Sequence, residues 1–243
     1  MESYAPVQHV TVDPETLPPA KRALVLNGAL RGDETLEPVE EALLALLREE
    51  RTEIRGYAMR DVPLAHCQGC FECWTTTPGL CKTDGDAGRE IASAMINSDL
   101  MVILTPVTFG GYSSEIKKAM DRIICLVLPF FRRVDGEVHH SRRYPSYPSL
   151  AAIGVLGAPD EEQARIFRSL VERNDTLIAL AVLALVDGHC QVPCAHQPRL
   201  REPAAGVQRR HRIAVELCIA AQDARRGIVG HQHADRPVAA GLQ

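Results

Sequence analysis

Four of the eight cysteines, Cys67, Cys70, Cys73 and Cys81, fall within fifteen residues. Their spacing, C-x2-C-x2-C-x7-C, sets three thiols close together and a fourth a short loop away. Thiolates in such an array can hold a [4Fe–4S] cluster. Zinc is disfavoured, because four-cysteine zinc sites use two separated CxxC pairs and these pairs overlap. The alternative is a packed loop of reduced cysteines. A second group, Cys190, Cys194 and His196, has only a minor reading as a metal site.

Three glycine-bearing segments could hold a ligand of another kind. Gly28-Ala-Leu-Arg-Gly-Asp-Glu-Thr35 follows an apolar run and precedes a helical stretch. Backbone N–H groups and a helix dipole at such a turn favour an anion; a plain tight turn would read the same way. Neither GxGxxG nor GK[ST] is present, which disfavours a dinucleotide fold or an NTPase. Thr105-Pro-Val-Thr-Phe-Gly-Gly-Tyr-Ser113 adds hydroxyls and two aromatic rings, and Gly154-Val-Leu-Gly-Ala-Pro159 adds a third permissive turn. Ligands of open α/β sheets bind outside the carboxyl ends of the strands. Three such loops on one edge suit a flat ligand with a phosphate tail. Further along, His139, His140, Arg142, Arg143, Tyr144 and Tyr147 form an insertion, read either as a cover over the site or as a proline-stiffened loop. Asp84 and Asp86 read as caps of the helix that follows them.

The elements that must position these residues follow from periodicity. Arg22–Asn27, Leu100–Thr105 and Leu150–Leu156 are short apolar runs typical of buried parallel strands. Thr52–Met59 is a further strand, and Leu180–Val186 a last one. Helical spacing marks Leu36–Glu50, with Thr35 as its cap, and also Asp86–Asn97 and Ser114–Leu126. A fourth helix opens at Asp160-Glu-Glu-Gln163 with a capping-box pattern and turns Phe167, Leu170 and Val171 inward. Residues 60–83 are too rich in Gly, Pro and Thr for a helix. Strands alternating with helices at this spacing predict a parallel sheet covered on both faces.

The 243 residues suit one domain, and 46% apolar against 24% charged residues provides for a sizeable core. A net charge of −4 argues against a nucleic-acid or anionic-lipid coat. The first twenty residues have no secretory pattern, and no apolar run reaches about 18 residues, so a cytoplasmic protein without a membrane span is expected. Residues 1–20 read as an extended arm and 21–186 as the folded domain. Residues 187–243 lack Phe, Tyr, Trp and Lys, a shift that marks them as a divergent segment with one helical stretch at 209–226 and a frayed end.

Together these stretches resemble the flavodoxin-like NAD(P)H-dependent FMN reductases, including the branch called iron-sulfur flavoproteins. The resemblance spans about residues 21–175. It is carried by Gly28…Arg31-Gly-Asp…Thr35, by Cys67-Gln-Gly-Cys70-Phe-Glu-Cys73-Trp74…Thr77-Pro-Gly79…Cys81 and by Ser98-Asp99. Thr105-Pro-Val107 with Phe109-Gly110, Lys117…Asp121-Arg122, and Arg143-Tyr-Pro145 with Tyr147-Pro148 complete it. The first loop departs from the family's Gly-Ser-Pro-Arg by carrying Ala29 and Leu30, so one phosphate-binding hydroxyl is missing.

The resemblance implies a doubly wound, five-stranded parallel sheet that binds FMN and takes hydride from NAD(P)H. Gly28, Arg31, Asp33 and Thr35 would lie in the phosphate loop. Thr105, Pro106, Val107, Thr108, Phe109 and Gly110 would wrap the ring and ribityl chain, with Phe109 or Tyr112 against the ring, and Gly154 and Gly157 would flank it from the other side. Hydride transfer is the cofactor's chemistry, so no protein nucleophile is expected. The implied partners are a small-molecule acceptor, such as a quinone or free flavin, and further copies of the chain in a dimer or tetramer. The alternative is an electron-transfer protein carrying FMN and a [4Fe–4S] cluster at Cys67, Cys70, Cys73 and Cys81.

Overall fold

The computed structural model describes residues 20–134, 136–174 and 181–186. Five strands form one parallel sheet: β1 (Arg22–Asn27), β2 (Glu53–Ala58), β3 (Leu100–Pro106), β6 (Ser149–Val155) and β7 (Ala181–Val186), in the order β2-β1-β3-β6-β7. The order reverses beside β1, so the chain winds outward in both directions from that strand. Right-handed crossovers then put helices on opposite faces. α1 (Glu37–Glu49), between β1 and β2, covers one face. α3 (Gly88–Ile96), α4 (Ser114–Arg122) and α5 (Glu161–Asn174) cover the other. The expected doubly wound architecture is what the chain adopts.

Each central strand is apolar on both sides because both sides are buried. Ala23, Val25, Val102, Leu104, Ala151 and Ile153 face Val39, Leu43 and Leu47 of α1. Leu24, Leu26, Met101, Ile103, Leu150 and Ala152 face Ile91 and Met95 of α3, Ile116 and Ala119 of α4, and Phe167 and Val171 of α5. Alternate residues of a strand point to opposite faces, so a one-residue slip would exchange these two sets.

Local chemistry shifts several elements from their expected positions. α1 begins at Glu37 with Leu36 as its cap and no side-chain capping bond. Thr35 is not the cap, because its hydroxyl donates to Asp33 Oδ1 at 2.6 Å. The helix expected over Ser114–Leu126 stops at Arg122 and tightens into a 3-10 turn, Ile123–Leu126. Residues 60–83 are not helix-free: α2 (Glu72–Thr75) is a single turn, entered through Phe71 at φ 56°. The insertion after the 3-10 turn is a two-stranded antiparallel hairpin, β4 (Val127–Val134) with β5 (Glu137–Arg142), rather than a loop. Leu170 is half-buried, unlike its neighbours Phe167 and Val171. The N-terminal arm before Ala20, the stretch 209–226 and the Cys190/Cys194/His196 group lie outside the described residues. Among the described residues no helix is long and apolar enough to cross a membrane.

Candidate active site

Three loops leave the sheet at the carboxyl ends of adjacent strands. β1, β3 and β6 align there, Asn27 opposite Leu104 and Leu104 opposite Ile153. The first loop turns away at Gly28, whose N–H donates to Leu104 O at 2.7 Å. A Cβ on Gly28 would sit 2.4 Å from Ile116 Cγ1 and 2.6 Å from Ser113 Oγ, so glycine is needed for α4 to pack this close. Asn27, buried, accepts from the Ala29 N–H through Oδ1 at 2.8 Å and donates through Nδ2 to Glu40 at 2.8 Å. Ala29 is buried and Arg31 is exposed. Asp33 Oδ1 accepts from both the N–H and the hydroxyl of Thr35, at 2.9 and 2.6 Å. Both Thr35 donors in this loop therefore already serve an anionic oxygen, that of Asp33.

The second loop is pinned at its base and open at its tip. Thr105, fully buried, accepts the Ser113 N–H at 2.9 Å and donates to Pro106 O. Ser113 in turn caps α4 by accepting from Ile116 N. Thr108 and Gly111 exchange backbone hydrogen bonds of 3.1 and 2.9 Å, closing a tight turn around Phe109 (φ 52°) and Gly110 (φ 72°). Positive φ at both central residues is the geometry of a type I′ turn. The turn rests on α5: Gly110 N–H donates to Gln163 Oε1 at 3.3 Å, and a Cβ on Gly110 would overlap Ile166. Phe109 is consequently held out, 93% exposed. Tyr112 is half-buried. It packs edge-on against Phe167, its hydroxyl accepts from Asn174 Nδ2 at 2.9 Å, and burial pushes that hydroxyl's pKa upward. Of the two aromatics considered for a planar ligand, Phe109 is the one displayed.

The third loop follows β6. Val107 N–H donates to Val155 O at 2.8 Å, holding the second and third loops edge to edge. A Cβ on Gly154 would lie 2.6 Å from Phe167 and 2.8 Å from Val107, whereas Gly157 has open space around it.

The cysteine loop lies on the face of the sheet that carries α3 and α4. Cys73 is buried in the core, Cys67 and Cys81 are half-buried and Cys70 is exposed. Burial raises the Cys73 thiol, and Cys81, Cys67 and Cys70 add to that. The four cysteines are thus gathered around Cys73, yet among the described residues no three His, Cys, Asp or Glu side chains are arranged to hold a metal ion. Cys125, not singled out by its spacing, is with Cys73 the second buried thiol among the described residues; burial, then Cys73 and Cys81, push it up to about 11.

Arg122 ties this loop down. It is 2% exposed, donates to both carboxylate oxygens of Asp86 at 2.7 and 3.0 Å, and also binds Ala65 O and Thr83 O. An arginine continuing the buried Ile116/Ala119 stripe was the signal for it. Neither expected cap holds: α3 is capped by Ala87 with no side-chain capping bond, Asp86 accepts the Gly88 N–H while bound to Arg122, and Asp84 lies 4.0 Å from Arg89. The hairpin joins through rings: Phe71 stacks on Trp74 at 4.9 Å, Trp74 meets His140 at 5.0 Å, and His140 meets Phe131 at 4.7 Å.

This strand order, with three permissive loops at the carboxyl edge beside the reversal, defines a flavodoxin-like α/β protein. Residues 22–142, about half of the chain, match the family described as NADPH-dependent FMN reductase. It is similar to an iron-sulfur flavoprotein of Methanocaldococcus jannaschii, 37% identical over 84 residues, which are 35% of this chain and 42% of that relative. The match therefore spans less than half of the relative's length. Among solved structures it resembles an azoreductase from Bacillus anthracis str. Sterne (TM-score 0.54, 12% identity, 85% of this chain and 99% of the other). It also resembles an NAD(P)H:quinone oxidoreductase from Methanothermobacter marburgensis (TM-score 0.54, 14% identity, 85% and 96%). These structures agree with the chain in fold.

Proposed function

We propose that the protein is an FMN-dependent oxidoreductase that takes hydride from NAD(P)H and passes electrons to a quinone, a flavin or a similar small acceptor. The observation that carries this reading is the meeting of three loops at the ends of β1, β3 and β6, the first two of them inside the stretch, 22–142, that matches the family. FMN, when bound, supplies the two-electron chemistry. The residues around it bind and orient. Gly28, Arg31, Asp33 and Thr35 line the phosphate end. Thr105, Pro106, Val107, Thr108, Phe109 and Gly110 run along the ring and ribityl chain, with Gly154 and Gly157 opposite. Phe109 offers an apolar ring face where a planar partner would stack. A homodimer or tetramer, a cytoplasmic location and no nucleic-acid partner belong to the same reading.

Flavin titration followed by NADH and NADPH oxidation assays with a quinone tests it. Saturable FMN binding and acceptor-dependent oxidation are expected; a folded protein that binds no flavin overturns the reading.

A second reading, an electron-transfer protein with FMN and an iron–sulfur cluster, is favoured by the cysteine loop and the iron-sulfur flavoprotein relative. Anaerobic purification with iron analysis separates the two. Bound iron lost in Cys67→Ala, Cys70→Ala, Cys73→Ala and Cys81→Ala supports the second; its absence removes it.

A further inference from the structure

The first loop binds an anion of its own. From Gly28 to Leu36 its one hydroxyl is that of Thr35. Both the N–H and the O–H of Thr35 are directed to a single oxygen, Asp33 Oδ1, at 2.9 and 2.6 Å. Each of these donors carries one proton. A phosphate oxygen can take either bond only when the carboxylate gives it up. The nearby cations are engaged as well. Arg31 lies 4.0 Å from Asp61, and Arg60 lies 3.7 Å from Asp61 and 3.9 Å from Glu37 while donating to Asp33 O at 3.3 Å. Glu34, beside Asp33, adds a further negative charge. A phosphate dianion entering this loop must compete for donors and also approach a carboxylate, which like-charge repulsion opposes.

We propose that Asp33 is the specificity-determining residue of the flavin site: an internal competitor for the Thr35 donors that weakens the preference for a phosphorylated flavin over an unphosphorylated one. This inference rests on the reading of the loop as the phosphate end of a flavin site. Asp33 then lies in the site as an opponent of the phosphate rather than a ligand to it. The side-chain bonds of Asp33 run to Thr35 within the first loop, so a change at this residue is expected to fall on FMN and spare riboflavin.

The test measures FMN and riboflavin affinities by quenching of flavin fluorescence. The full chain is used, as wild type, Asp33→Asn, Asp33→Ala, Thr35→Val and the double variant Asp33→Ala/Thr35→Val. A hydrogen bond to a charged group corresponds to about tenfold or more in affinity. Asp33→Ala is expected to tighten FMN by about that factor and to change riboflavin by less than about twofold. Asp33→Asn, which keeps an acceptor but loses the charge, falls between. Thr35→Val is expected to matter little in the wild type and to cancel most of the gain in the Asp33→Ala background, a coupling that a change in loop stability alone would not produce. Unchanged or weaker FMN binding in both Asp33 variants, with riboflavin still bound, overturns the inference and leaves the flavin reading standing. Failure of every protein to bind either flavin, with folding verified by circular dichroism, overturns both.

Discussion

Arg122 and Asp86 meet through two hydrogen bonds, 2.7 and 3.0 Å, and that pair closes the neck of the cysteine loop. Arg122 reaches Ala65 O before the cysteines and Thr83 O after them, and Asp86 accepts the Ala65 and Gly88 N–H groups. One ion pair thus fixes both ends of a segment with little regular structure. Removing one partner of a buried pair strands the other, at about 3–5 kcal/mol. Arg122→Met is expected to lower unfolding free energy by an amount in that range in a urea titration. Asp86→Asn, which keeps some hydrogen bonding, should cost less.

The same pair sets a pH dependence. Burial works to raise the Asp86 carboxyl, but Arg122 and the Ala65 and Gly88 N–H groups outweigh it and hold it at about 2, against an ordinary value of 3.8. A carboxyl lowered on folding contributes stability that is complete above its unfolded value and is lost as pH falls toward the folded one. Stability should therefore decline between about pH 4 and pH 2, and Asp86→Asn should flatten that part of the profile. Urea midpoints at closely spaced pH values check this.

Phe109 combines a left-handed backbone with a side chain 93% exposed. The conformation costs a non-glycine residue about 1–2 kcal/mol, and the ring recovers little of it by burial. Phe109→Ala is expected to leave stability within about 0.5 kcal/mol of wild type, while acceptor-dependent NAD(P)H oxidation falls. A variant that unfolds more easily and turns over normally would mean that the ring serves packing instead.

Gly28 stands where α4 crosses the first loop. Gly28→Ala brings a methyl into Ile116 and the Ser113 hydroxyl, both of them buried. Overpacking of this kind costs about 1–3 kcal/mol, and chemical denaturation measures it. Flavin affinity should fall in the same variant, because the loop must shift to make room.

Cysteine accessibility orders the thiols by reactivity. Alkylation depends on thiolate population and access. Of the five described cysteines Cys125, 1% exposed and pushed up to about 11, should label last, with Cys73 just before it. Cys70, exposed, should label first. Timed iodoacetamide labelling with peptide mass spectrometry gives the order. Early labelling of Cys125 would mean that the 3-10 turn opens in the folded protein.

The strands and main helices were legible because burial on two faces leaves a direct imprint: the runs Arg22–Asn27, Leu100–Thr105 and Leu150–Leu156 are apolar without alternation. What was not legible depended on long-range partners. α2 is one turn, held where Trp74 Nε1 donates to Ile124 O and Val127 O, some fifty residues on. The hairpin hid because Phe130 and Phe131 both lie exposed, which breaks a strand's alternation of apolar and polar positions. The cap at Thr35 failed for a local reason, since Asp33 two residues earlier claimed the hydroxyl. At the site, the glycines and Thr105 could be read as loop formers, but the packing of Tyr112 against Phe167 and the full exposure of Phe109 depend on long-range contacts with α5.

The hairpin β4–β5 has a bearing on how this architecture diversifies. Its own ties run to the cysteine loop, Trp74 donating to Val127 O and meeting the His140 ring, while Arg143 and Tyr147 just after it donate to Cys125 O and Leu126 O of the 3-10 turn. The strands on either side of it, β3 and β6, find their register through their own seven-pair ladder from Leu100–Ser149 to Pro106–Val155. Lengthening, shortening or exchanging residues 128–142 therefore leaves the sheet's alignment intact, as loop insertions in general are well tolerated. The segment is an interchangeable part that can be rebuilt without rebuilding the scaffold.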